Sequence, residues 1–172
     1  MKKLFLFLSF SLFLCASAHA LPLLGFYKTV DDRTGNAKAV VKLYECAGLM
    51  CGRIVALFDK TGSYIEETIS NPVRVAEKLA EKPHLDGLDI LWHMEWSERS
   101  QEFSGGRIMD PMDGRTYRAR IWQDRNDPGL LNVRGMIGPF GRTQVWQNME
   151  ISALPEDLQN LDISDWEVVI RN

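Results

Sequence analysis

The sequence predicts an all-β protein: an eight-stranded antiparallel up-and-down barrel with one short helix between strands three and four. Three observations predict it. From Gly25 onward the chain alternates in polarity over short runs, strong turn signals separate those runs, and most connections are of hairpin length. Eight such strands suit a sheet closed on itself, which leaves no edge exposed and encloses an interior wide enough for side chains or one small ligand. A β-sandwich is the competing arrangement.

The first strand, Gly25 to Val30, ends at the turn cluster Asp31-Asp32-Arg33-Thr34-Gly35-Asn36. Ala37 to Glu45 and Met50 to Phe58 form a hairpin. With Gly48-Leu49 as its two-residue turn, Ala47 faces Met50 and Cys46 faces Cys51 in a non-hydrogen-bonded pair, whose Cα atoms lie about 4.5 Å apart, a separation a disulfide accepts. After this hairpin comes the helix. Asn71 suits its N-cap and Pro72 its first position, Val73, Ala76, Leu79 and Ala80 line one face, and Pro83 ends it. It either covers one mouth of the barrel or plugs the core.

The remaining strands are Leu88 to Trp96, Phe103 to Met109, Arg115 to Gln123, Leu130 to Ile137 and Arg142 to Met149. Tyr117, Ala119 and Ile121 share a face opposite Thr116, Arg118 and Arg120, so one side of the sheet is buried. Past Met149, Pro155, Glu156 and Asp157 open an acidic stretch, and Trp166, Val168 and Ile170 alternate as an extra strand. The organisation is thus a signal peptide over 1–20, a barrel domain over 21–149 and an acidic C-terminal extension over 150–172.

Lys2 and Lys3, the apolar run Leu4 to Leu14 and the small-x-small motif Ala18-His19-Ala20 make the N-terminus an export signal cleaved after Ala20. Eleven apolar residues fall short of the roughly 20 that span a bilayer, and no later run is long enough. Cleavage removes Cys15 and leaves Cys46 and Cys51, an even count for an oxidising compartment, the periplasm. A disulfide is the economical reading, against a metal or redox pair that would have only His84 and His93 to help it. Loss of Lys2 and Lys3 takes the formal charge from −3 to −5, which argues against nucleic acid and anionic membrane surfaces as partners. Arginines nevertheless crowd the last third of the body, and an acidic tail could fold back on them or contact another envelope protein.

The segments Gly25-Phe26-Tyr27-Lys28-Thr29, Tyr44-Glu45-Cys46, Cys51-Gly52-Arg53-Ile54-Val55 and Asn71-Pro72 recur in order in a known family. So do Gly87-Leu88-Asp89-Ile90-Leu91, Ser104-Gly105-Gly106-Arg107-Ile108-Met109-Asp110-Pro111, Gly114-Arg115-Thr116-Tyr117, Val133-Arg134-Gly135-Met136-Ile137-Gly138 and Gly141-Arg142-Thr143-Gln144-Val145-Trp146. Over about Leu24 to Met149 the chain resembles the domain of unknown function 2147, small secreted proteins mainly of Gram-negative bacteria. The resemblance implies a lipocalin-like barrel and a periplasmic address, and it brings no established activity. Tyr27 stands where family members usually carry Trp, and residues 150–172 extend past the usual family end.

Arg142, Gln144 and Trp146 alternate on the last strand, which in a closed barrel pairs with the first, carrying Tyr27 and Thr29. If that face points inward, Arg142, Gln144 and Tyr27 hold the polar end of an amphipathic ligand whose tail lies against Trp146, Ile121 and Val133. Otherwise Arg142 has a purely structural role at the barrel end. Asp110 and Asp113 read as turn residues rather than an acid-base pair, and Asp89, His93 and Glu95 as the polar side of a strand rather than a metal site. Trp92 belongs to the core, with Trp96 half exposed at a strand end as a docking point. No hydrolase, zinc-protease or phosphate-loop motif is present, so no catalysis, cofactor or metal is expected. The expected function is binding of a small apolar or amphipathic molecule, with an envelope interaction module as the alternative and a hydrolase as a distant third.

Overall fold

The computed structural model describes residues 21–171; the expected signal peptide lies outside the described residues. Ten strands follow in order: β1 (Gly25–Val30), β2 (Ala37–Cys46), β3 (Leu49–Phe58), β4 (Ile65–Thr68), β5 (Asp89–Ser97), β6 (Glu102–Ser104), β7 (Arg107–Met109), β8 (Thr116–Gln123), β9 (Leu130–Ile137) and β10 (Phe140–Met149). All pairings are antiparallel. β1 pairs with β2, β2 with β3, β3 with β5, β5 with β6 and β7, these with β8, then β8 with β9, β9 with β10, and β10 with β1. The circuit closes as an eight-stranded barrel, because β6 and β7 are two halves of one wall strand and β4 only adds to the end of β3.

The interruption between β6 and β7 has a local cause. His93, in the middle of β5, sits in the left-handed region (φ 57), and the chain passes so close there that a Cβ on Gly106 would overlap the Trp92 and His93 backbone. Only glycine fits opposite this kink, and the wall strand breaks at Gly105-Gly106.

The cysteine hairpin turns one residue earlier than its spacing predicts. Ala47 and Gly48 occupy the turn with φ 52 and 79, so Cys46 pairs with Leu49 and Cys51 with Tyr44. Two left-handed central residues give the turn whose twist matches the strands, and that preference outweighs the strain at Ala47. The disulfide forms as a diagonal link on one face, with its Cα atoms 5.9 Å apart.

The predicted helix over 71–83 is absent. Glu67 accepts the Val73 and Arg74 N–H groups at 3.0 and 2.7 Å, Ala76 N–H donates to Pro83 and Leu85 N–H to Arg74, and Glu81 and Lys82 take positive φ. These bonds fold the segment back on itself, a path no helix can follow. Its apolar residues still reach the core: Ala76, Leu79 and Leu85 are buried, and Leu79 lies beside Gly114 in the β7–β8 turn. The segment therefore packs over the end of the barrel without helical form. The α-helix among the described residues, α1 (Glu156–Gln159), lies in the C-terminal extension.

Two apolar clusters stabilise the molecule. One fills the barrel with Tyr27, Leu43, Met50, Leu91, Phe103, Ile121, Leu131, Val133 and Trp146. The second sets Phe26, Val40, Val55, Ala56 and Phe58 under Leu154 and Leu158. Phe26 alternates with Tyr27, so this second cluster lies on the opposite side of the sheet from the barrel interior, covered by α1. Trp166, Val168 and Ile170 do not form an extra strand, since the tail makes too few ladder bonds.

Candidate functional site

The strand alternation places Ile121, Val133, Gln144 and Trp146 on one inward face, through the pairs Ile121 with Val133, Gln144 with Val133 and Trp146 with Leu131. Tyr27 joins the same core. Their polar groups are already engaged. The Tyr27 hydroxyl donates to Leu23 O at 3.1 Å, and burial pushes that phenol above its ordinary pKa. Thr29 Oγ1 accepts from Ala39 N–H, and Gln144 Oε1 accepts from Trp146 Nε1 at 3.4 Å. Arg142 shares the inward register but stands at the strand end, where Asp32 of the β1–β2 turn draws it outward. Its Nε donates to Asp32 Oδ2 at 2.7 Å, and its side chain is 67 % exposed. The interior around Gly52 is tight as well: an added Cβ would sit 3.0 Å from both Leu43 and Leu91. The expected anchors of an internal head group thus serve the barrel itself.

On the outer side of β2, β3 and β5 lies an arrangement that sequence reasoning missed. The β3–β5 register sets Arg53 directly opposite Asp89. Asp89 is 1 % exposed and accepts four hydrogen bonds: Arg53 Nε at 2.9 Å, Arg53 Nη2 at 2.7 Å, the Tyr44 hydroxyl at 2.9 Å and Val169 N–H at 2.9 Å. Arg53 Nη2 also donates to Glu167 O at 2.7 Å, and its guanidinium stacks 4.3 Å above the Trp166 ring, which meets Tyr44 edge-on at 4.9 Å. Burial, and then the charge on Asp89, raise the Tyr44 phenol far above its ordinary pKa. Residues 166–169 are therefore strapped to the barrel wall by a desolvated, hydrogen-bonded ion pair. A signal for it exists in the sequence: Arg53 and Asp89 are each the lone charge within an apolar run.

Between this strap and residues 83–89 runs a groove of about 370 Å³. Leu88, Trp166, Val169 and Pro83 give it apolar walls, and the rest of its lining is mostly polar or charged: His84 and Asp86, then Asp165 and Glu167, with Arg53, Asp89 and Arg171. Asp86 is 4 % exposed, and neither carboxylate oxygen has a hydrogen-bond partner. Burial first, and the nearby charge of Glu67, push its pKa above the usual carboxylate range. Glu67 is buried too, yet its oxygens are taken by Arg74 and two backbone N–H groups. Of the buried side chains among the described residues, Asp86 alone is left with unmet acceptor capacity.

The other sites considered from sequence resolve simply. Asp110 Oδ1 accepts Met112 N–H and Asp113 Oδ1 accepts Arg115 N–H, which is turn chemistry. Asp89 is consumed by Arg53 while His93 and Glu95 are exposed, and among the described residues no group of three or more His, Cys, Asp or Glu side chains could hold a metal. Trp92 is buried, and Trp96 packs on Phe103 with ring centroids 5.0 Å apart. No helix among the described residues is long and apolar enough to cross a membrane.

The closed eight-stranded antiparallel barrel is a lipocalin-like fold. The solved structure described as "Protein HP1028 from the human pathogen Helicobacter pylori belongs to the lipocalin family" matches with a TM-score of 0.60 at 19 % identity, over 81 % of this chain and 90 % of that one. At that identity the likeness shows the fold alone. The chain belongs to the family described as "Uncharacterized protein conserved in bacteria (DUF2147)", whose model matches residues 25–148. No curated protein matches it.

Proposed function

We propose that this protein is an exported, non-catalytic carrier or sensor of a small amphipathic molecule, held in the outer groove rather than inside the barrel. The observation that carries the reading is Asp86, a buried carboxylate with two unpartnered oxygens beside a groove whose volume falls within the roughly 300–1,000 Å³ of small-ligand sites. An unpaired buried carboxylate is unfavourable until a cationic donor meets it. The ligand is accordingly an amine or guanidine with an apolar body that lies against Trp166, Val169 and Leu88. A metal ion is the poorer occupant, since a hard cation needs about six oxygen ligands and the groove offers no such cluster. The head group thus has the opposite sign to the one Arg142 would have selected. Periplasmic residence is supported by the N-terminal export pattern and by the Cys46–Cys51 disulfide.

Isothermal titration of the mature chain with octylamine, and with octanoate as the anionic control, tests the reading. Saturable binding of octylamine, lost in Asp86→Asn, is expected. Preferential binding of octanoate, or amine binding that ignores Asp86→Asn, would sink it.

A further inference from the structure

Mean acidity hides a segregation of charge that only the register reveals. On β7, β8 and β9, Arg107 stands directly opposite Arg118, and Arg120 directly opposite Arg134. Like charges facing each other across a sheet disfavour the fold, so two such pairs side by side need a reason. Among the described residues only Arg120 of the four has a carboxylate partner, Glu102; Arg118 donates to Gly138 O and Arg134 to Thr143 Oγ1. A cleft of about 230 Å³ opens between Arg118, Arg120 and the glycine break at Gly105-Gly106. At the adjoining barrel rim the β9–β10 hairpin projects two apolar side chains into solvent, Ile137 at 59 % and Phe140 at 79 % exposure. Met112, in the neighbouring rim turn, is 69 % exposed.

A cluster of arginines beside protruding apolar side chains matches the two requirements of peripheral bilayer attachment, attraction to anionic head groups and shallow insertion below them. We infer that the β7–β9 face and the β9–β10 hairpin tip dock this protein on an anionic lipid surface. Charge complementarity selects the occupant: the face offers guanidinium forks that suit phosphates, and its cleft is of head-group size. The acidic C-terminal extension lies elsewhere on the barrel, over β2 and β3, so the protein is electrically polar and would approach such a surface with one side. This inference stands independently of the groove at Asp86.

The test is co-sedimentation of the mature chain with vesicles of phosphatidylcholine alone or with about 30 % phosphatidylglycerol. Binding is expected only to the anionic vesicles, and is expected to fall steeply with added salt. Arg107→Gln and Arg118→Gln should each weaken it about fivefold. Phe140→Ser should weaken it about tenfold or more. All three positions are exposed, so an unchanged thermal midpoint shows that folding is intact. Equal binding to neutral vesicles, or retention by the Arg107→Gln, Arg118→Gln double variant, would overturn the proposal. So would competition by millimolar inorganic phosphate, which would mark a free-anion site, or self-association through Phe140 in sedimentation.

Discussion

Asp89→Ala is the perturbation that probes the strap most directly. It removes the acceptor of four hydrogen bonds and leaves Arg53, a residue 9 % exposed, without a counter-charge. Breaking a buried pair from one side costs about 3–5 kcal/mol, most of it from the charge left behind. For a domain of this size that corresponds to a thermal midpoint lower by roughly 6–20 °C. Urea unfolding monitored by tryptophan fluorescence measures it, and limited proteolysis of residues 160–171 reports whether the strap has come loose. Replacing both partners by apolar residues, Arg53→Met with Asp89→Leu, should recover about half or more of the loss, because no charge is then stranded. A cost for Asp89→Ala below about 1 kcal/mol, or a strap as protected as in the parent, would refute the reasoning.

Asp86→Asn should stabilise the unliganded protein by about 1 kcal/mol at neutral pH while abolishing amine binding, an opposition that denaturation and titration read separately. The raised pKa of Asp86 also sets a pH dependence: its protonated form favours folding, so that contribution is complete below the ordinary carboxylate pKa of roughly 3.9 and is lost as pH rises through the folded value. Asn at this position removes that decline, and amine affinity in the parent rises over the same range; an unchanged stability profile would contradict the assignment. Reduction of the Cys46–Cys51 disulfide should cost about 2 kcal/mol by urea unfolding, the amount expected for a short loop, and mass measurement of periplasmic protein should show a chain beginning at Leu21 with no free thiol. Removal of residues 161–172 should destabilise the barrel by about 1–3 kcal/mol in the same assay, less than Asp89→Ala, since it takes the Trp166 ring from Arg53 and the Val169 N–H from Asp89 but leaves the ion pair itself intact and hydrated.

The barrel was legible because alternation and turn chemistry are local. Gly25–Val30 and Leu130–Ile137 are bounded by Asp31 and Gly138, residues that stop a strand whatever surrounds it. The failures are cases where strand twist, strand-end geometry or distant groups decide. Val73, Ala76, Leu79 and Ala80 have helical spacing, yet Glu67 captures the N–H groups a helix would begin with, and only Ala76 and Leu79 are buried. The cysteine turn slipped by one residue because Gly48 serves equally well at the first or second central position, and the strand twist chooses the second. Arg142 has the inward parity its spacing predicted, but parity does not show that a long side chain at a strand end will bend to Asp32. Of the candidate site, Arg53 and Asp89 were visible one at a time. Their meeting, and the tail that covers them, depend on a β3–β5 pairing that skips β4 and on a segment with no regular structure.

The disulfide and the strap differ greatly in reach along the chain. Cys46 and Cys51 are separated by five positions, whereas Arg53 bonds to Asp89 across 36, Asp89 to Val169 across 80 and Arg53 to Glu167 across 114. The staple therefore holds one hairpin, whereas the ion pair joins strands from the first half of the chain to a segment near its end. Opening the disulfide loosens a single turn; opening the ion pair releases the tail around residues 166–169 and bares the wall of β3 and β5 beneath it.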